Sequence, residues 1–283
     1  MPVPRGPTRS ALHFLTDTNL FIAACAGFSA AGILPYFGYA PDQKLAWFVF
    51  FGTLFTYNAQ RGVGDLHPAR KPSKIGGVLM VLSFIALLAL LPALPATEIA
   101  VLSVSGVVSL AYAYPVVSFR GAKVSLRRLP YLKLWLIVLV WLLSCTVAPM
   151  LQAKTFLLEA HPFNPLFIVF QQGAFIAALT IPFDIRDIGD DFPTQRTLPQ
   201  MLGLRGAVRL AVILMALSGL AAFALAAIGT VSWPMAGAQI VLTTLGGVAV
   251  SFANPDRGRY YHFIVLDGML LLQGAVFIAL YGH

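Results

Sequence analysis

The chain has 283 residues, of which 58% are hydrophobic and 11% charged, and a formal net charge of +8. Its mean hydropathy of +0.81 excludes an ordinary soluble domain and describes a polytopic membrane protein, because apolar runs of roughly 20 residues each cross a bilayer. The positive charge does not point to nucleic acid, since the basic residues stand between the apolar runs, where they suit membrane topology and anionic lipid or phosphate.

Residues 1–10 form a polar, basic tail. The run behind them contains Asp17 and Asn19 and no small-residue cleavage site, so it is expected to be a first span and not a removable signal. Apolar runs bounded by Gly, Pro and charge predict nine spans, near 13–35, 44–62, 75–95, 97–114, 131–151, 165–185, 207–229, 234–253 and 261–281. The expected fold class is all-α, without a sheet, and residues 1–283 form one transmembrane domain with no room for a soluble one. Cys25 and Cys145 both lie inside apolar runs without metal-ligand spacing, which predicts packing residues and no disulfide. With the N-terminus inside, 17 of the 19 basic residues fall on the cytoplasmic side and only Lys44 and Lys154 outside. The expected location is the inner membrane of a bacterium.

The inside connections carry the unusual residues. After the second run come Asn58, Gln60, Arg61, Asp65 and His67. After the fourth come Tyr114-Pro115 and a basic loop with Arg120, Lys123, Arg127 and Arg128. After the sixth, Asp184, Arg186, Asp187, Asp190 and Asp191 place four of the chain's 11 acids within eight positions. On a helix, Asp184 and Asp187, with Asp190 or Asp191, share one face. Such like charges need solvent, arginines or a cation to screen them, and Mg2+, a hard ion that prefers oxygen ligands, suits the row. A solvated helix end is the plainer alternative.

On these residues the chain resembles the UbiA superfamily of intramembrane prenyltransferases. The resemblance is carried by the acidic stretch with its Arg196-Thr197-Leu198-Pro199 and Leu202-Gly203 tail, by Tyr114-Pro115 with its basic loop, and by the cluster led by Asn58. The one-sided layout of spans matches too, so the resemblance covers nearly the whole chain. It implies a helical bundle whose cavity opens at the cytoplasmic side, where Mg2+ held by two facing acidic motifs grips a prenyl diphosphate. The prenyl group then passes to a lipophilic, aromatic acceptor. The implied catalytic residues are Asp184, Asp187 and Asn58, and the implied metal ligands Asp184, Asp187, Asp190, Asp191 and Asp65. Arg61, Arg120, Lys123, Arg127, Arg128, Arg186 and Arg196 would bind the diphosphate, with topological anchoring as their competing role. The chemistry is consistent: breaking an allylic carbon–oxygen bond leaves charge on diphosphate for cations to stabilise, and the prenyl cation needs a dry pocket.

The first motif departs from the family pattern. Carboxylates are expected one, four and eight positions after the asparagine, where this chain has Ala59, Gly62 and Leu66. Asp65 is the one nearby acid, which leaves Arg61 to contact diphosphate directly. The alternative function is therefore a catalytically impaired relative that binds a lipid, a prenyl diphosphate or a membrane partner. A transporter fits less well, because Asn58 and Asp184 are separated by an even number of spans, which makes any repeat parallel, and the charged clusters share one face. Asp17, Asn19, Gln171, Gln172, Asp267 and Gln273, costly toward lipid, are expected to face the bundle, Asp267 through an interhelical hydrogen bond or ion pair. His67 and His262 are expected to be loop or interface residues.

Overall fold

The computed structural model describes residues 7–61, 74–119, 121–153, 164–189 and 195–282. In chain order the helices are α1 Pro7–Asp17, α2 Leu20–Tyr36, α3 Gln43–Arg61, α4 Lys74–Leu90, α5 Ala96–Ala113, α6 Leu132–Ala153, α7 Asn164–Arg186, α8 Leu198–Ala227, α9 Trp233–Ser251 and α10 Tyr261–Leu280. A helix lies over every predicted run. The count of spans differs: among the described residues seven helices are long and apolar enough to cross a bilayer, or eight if α1 and α2 are one bent span. The helix that does not qualify is α3, whose last turns carry Thr56, Tyr57, Asn58, Gln60 and Arg61.

Three local expectations are corrected. The first run is not one straight helix but turns by 73° between Ala11–Asp17 and Leu20–Tyr36. Asn19 adopts a left-handed conformation there (φ 64°), and the freed carbonyls are taken up from α3: Arg61 donates to the carbonyls of Asp17 and Thr16, and Asn58 Nδ2 donates to that of Thr18 at 3.2 Å. Exposed backbone groups of a broken helix need such partners in an apolar setting. Second, the basic loop after α5 contains a hairpin, with β1 Val117–Phe119 antiparallel to β2 Ala122–Val124. Gly121, at φ 83°, supplies the left-handed turn residue that so tight a connection requires. Third, the seventh run starts earlier than predicted, at Leu198, and is kinked at Gly203 (φ 69°). Thr197 is its N-cap, with its backbone N–H donating to Gln200 Oε1 at 3.0 Å.

α7, the most buried of the seven helices that qualify as spans, packs on α6 and α8, while α4 lies on α3 at the periphery and is the most exposed of the seven. Backbones come close where α2 meets α10: a Cβ on Gly274 would stand 1.9 Å from the Phe28 carbonyl oxygen, and one on Gly32 would stand 2.6 Å from Gly274 Cα. Polar side chains tie the spans together, as in membrane bundles generally. Gln273 Nε2 donates to Gln172 Oε1 (3.2 Å) and Gln239 Oε1 (2.8 Å), and Gln171 Nε2 donates to the Tyr36 hydroxyl at 2.9 Å. The span glutamines thus face the bundle as expected, and Cys25 and Cys145 are buried and free.

Candidate functional site

Asp184 lies in the last turn of α7 and Asp187 in the 3-10 turn that continues it, Asp187–Gly189. Their spacing of three brings both carboxylates to one ammonium. Lys133, near the start of α6, has its Nζ 3.1 Å from Asp184 Oδ1 and 3.2 Å from Asp187 Oδ2. Arg186 Nε lies 2.7 Å from the other Asp187 oxygen, Oδ1. Asp184 and Lys133 are almost wholly buried. The repulsion that the sequence predicts for the acidic row is therefore answered by two protein cations, since a buried charge persists only when paired.

These cations are fixed by the connections around them. The backbone N–H of Tyr131, a left-handed residue just before α6, donates to the Gln195 carbonyl (2.9 Å), and Gln195 Nε2 donates to the Arg127 carbonyl (3.1 Å). The segment before α8 thereby holds the loop that presents Arg127 and Lys133. Arg127 stands with its guanidinium 5.9 Å from the Tyr112 ring centre, and that of Arg186 lies 5.1 Å from the Phe183 and 5.9 Å from the Phe263 ring centres.

The cluster forms one wall of a cavity of about 260 Å³ bounded by α2, α3, α5, α6, α7 and α10. Asp184, Asp187, Lys133, Arg186 and Arg127 line its charged part, and Leu136, Ile137, Val140, Ile176, Leu179 and Leu270 its apolar part. A second cavity of about 80 Å³, between α2, α3, α5 and α6, shares Tyr57, Ser109, Val140 and Trp141 with this wall. Tyr57 and Gln60 represent α3 in the main cavity, Gln60 Nε2 being held by the Ser109 carbonyl at 2.8 Å.

The other predicted site residues divide into three groups. Asp65, Arg120, Asp190 and Asp191 lie outside the described residues, as does His67. Lys123 is exposed on the hairpin, and Arg128 does not line the cavity. Arg196 Nη1 donates to the Tyr131 hydroxyl at 2.6 Å, also away from the cavity. Asn58 and Arg61, expected to meet the substrate, instead brace the break between α1 and α2: Asn58 also donates to the Leu54 carbonyl (2.8 Å) and accepts from Asn19 Nδ2 (3.1 Å).

Sequence reasoning missed Lys133, which looked like one more inside cation, and misjudged Asp267. The expected interhelical partner of Asp267 is absent among the described residues: Arg259 pairs with Asp17 at 2.6 Å, and the Asp267 carboxyl, 9% exposed, faces the cavity. A π-turn, Tyr261–Leu266, immediately precedes it, a distortion that often re-aims a functional side chain. Phe263 packs on Phe183 with ring centres 6.3 Å apart. Asp267, four residues further along α10, lines the same cavity as the charged cluster.

Two carboxylates converging on one cation offer the hard oxygen ligands that a divalent ion such as Mg2+ takes, commonly with substrate phosphate and water completing the shell. Among the described residues no third Asp, Glu, His or Cys joins Asp184 and Asp187.

No family model and no curated protein sequence matches the chain. Solved structures do. A UbiA homologue from Aeropyrum pernix K1 in its apo form is 13% identical and superposes over 93% of this chain and 96% of its own with a TM-score of 0.60. A UbiA homologue from Archaeoglobus fulgidus bound to GPP and Mg2+ is 12% identical over 95% and 99%, also at 0.60. A digeranylgeranylglyceryl phosphate synthase is 14% identical over 96% and 99%, at 0.55. At such identities the likeness establishes the fold, and this chain has it over nearly its whole length.

Proposed function

We propose that the chain is a UbiA-superfamily prenyltransferase that binds a prenyl diphosphate at Asp184 and Asp187 with Mg2+ and transfers the prenyl group to a lipophilic acceptor. The observation that carries this reading is the meeting of Asp184, Asp187, Lys133, Arg186 and Arg127 at one end of an apolar cavity. Asp184 and Asp187 would hold the metal ion, which when bound supplies Lewis-acid stabilisation of the leaving diphosphate. Lys133, Arg127 and Arg186 neutralise the charge that grows on the diphosphate as the allylic carbon–oxygen bond breaks and its electron pair goes to oxygen. Leu136, Ile137, Val140 and Ile176 keep water from the allylic cation until the acceptor attacks it and forms the new bond. The proton that the acceptor then loses passes to Asp267, whose carboxyl lines the cavity.

A second reading, a binding protein without turnover, is favoured by one observation: Asn58 and Arg61 are committed to the α1–α2 break and Ala59, Gly62 and Leu66 replace acids. One experiment separates the two. The purified full chain is given geranyl diphosphate, Mg2+ and a lipid extract from its own membranes. Prenylated product is expected, with Asp267→Asn still binding the donor but transferring at least about tenfold more slowly, as for loss of a general base. Asp187→Ala should abolish Mg2+-dependent donor binding, and Asp65→Ala weaken it only modestly. Binding without any product would favour the second reading, and Mg2+-dependent binding untouched by Asp187→Ala would refute the site.

A further inference from the structure

We propose that Lys133 is a tethered cation of the diphosphate site, bridging Asp184 and Asp187 while no metal ion is bound, so that diphosphate binding persists without Mg2+ and the metal only adds to it. The inference rests on the function proposed above and specifies how that site is charged.

The geometry is that of a bridging ion. One ammonium is within 3.2 Å of an oxygen from each carboxylate, and its side chain is 6% exposed. Arg186 covers the remaining oxygen of Asp187. Among the described residues three cations, Lys133, Arg186 and Arg127, line the cavity against three carboxylates, Asp184, Asp187 and Asp267, and the two carboxylates at this end are held by Lys133 and Arg186. An incoming diphosphate meets acids that are already neutralised, whereas a bare pair of carboxylates would repel it until a metal arrived. Lysine suits the part because its four-carbon stem lets the ammonium turn from carboxylate to phosphate oxygen without moving the backbone of α6.

The partner element supplies the second reason. Position by position α3 lacks what a metal bridge would need: Ala59 has no carboxylate, and the amide of Asn58 is bonded to Thr18, Leu54 and Asn19. What α3 offers the cavity is Tyr57 and Gln60, neutral groups. A fixed cation on α6, opposite the acids of α7, compensates from the other side of the site. The competing explanation, a buried ion pair that only stabilises the fold, makes no forecast about binding without metal.

The test measures binding of geranyl diphosphate and of inorganic diphosphate to the purified full chain by calorimetry, in excess Mg2+ and in excess EDTA. Removing Mg2+ should weaken wild-type binding by less than about thirtyfold, within the span that one charge-assisted hydrogen bond is worth. Lys133→Met should lose at least about tenfold more than the wild type in EDTA, and Lys133→Arg should recover part of it. A wild-type loss beyond about thirtyfold overturns the proposal and leaves the prenyltransferase reading standing. Equal binding by Lys133→Met and wild type in EDTA overturns it as well. If Lys133→Met does not fold, the wild-type comparison decides alone. No binding in either condition would remove the proposed function, and this inference with it.

Discussion

Asn58 shows how a residue type in a suggestive place can be absorbed by structure. Tyr57 beside it faces the cavity, yet Asn58 is 7% exposed and its amide holds three partners, Leu54 on its own helix and Thr18 and Asn19 in the α1–α2 break. Asn58→Ala removes all three bonds and leaves the Thr18 carbonyl and Asn19 amide without it, a loss of about 1–3 kcal/mol for unsatisfied buried groups. The expected outcome is a lower thermal unfolding midpoint with Mg2+-dependent diphosphate binding unchanged. An Asn58→Ala variant that melts like the wild type but binds no diphosphate would return Asn58 to the site. The acids were legible where Asn58 was not: the three-residue spacing of Asp184 and Asp187 fixes a shared face whatever surrounds it. Lys133 was not legible, because it lies 54 positions from Asp187, and nothing local distinguishes it from the other basic residues of its loop.

At the scale of elements, helices were readable because an apolar run of bilayer length has one way to satisfy its backbone. Their interruptions were not. The break before α2 has neither Gly nor Pro, and depends on Arg61 and Asn58 reaching it from α3. The hairpin, in contrast, had its cue in Gly121 between β-forming residues. Helix contacts were illegible as well, since many glycines look alike in sequence and one, Gly274, lies against the Phe28 carbonyl. A methyl there would stand 1.9 Å from that oxygen, and backbone cannot yield as a side chain does. Gly274→Ala should force α10 from α2 and cost at least about 1–3 kcal/mol, the usual penalty of overpacking. Gly237, with nothing within 4 Å of its added Cβ, is the control: Gly237→Ala should melt like the wild type. Equal midpoints for both variants would show that α2 and α10 do not meet as described.

For the molecule as a whole, orientation decides which compartment supplies the charged donor. The cavity's charged wall comes from the C-terminal end of α7, the start of α6 and the loop before it, and the C-terminal end of α3 lines the same cavity with Tyr57 and Gln60. Lys44 stands at the opposite end of α3 from Arg61, 17 residues or roughly 25 Å along the axis, most of a bilayer's hydrocarbon thickness. Lys123, on the hairpin that follows α5, belongs to the charged end, and both lysines are exposed. The 17-to-2 division of basic residues expected from nine spans predicts that the charged end faces the cytoplasm. Single cysteines at these two positions test the assignment against a quiet background, because Cys25 and Cys145 are buried. In intact cells a membrane-impermeant maleimide should label Lys44→Cys and spare Lys123→Cys, and in inverted vesicles the pattern should reverse. Labelling of Lys123→Cys from outside would place the cavity's charged wall away from the cytoplasm. A cytoplasmic prenyl diphosphate could then reach Asp184 and Asp187 only by carrying its charge across the bilayer, which the cost of an unpaired charge in hydrocarbon forbids.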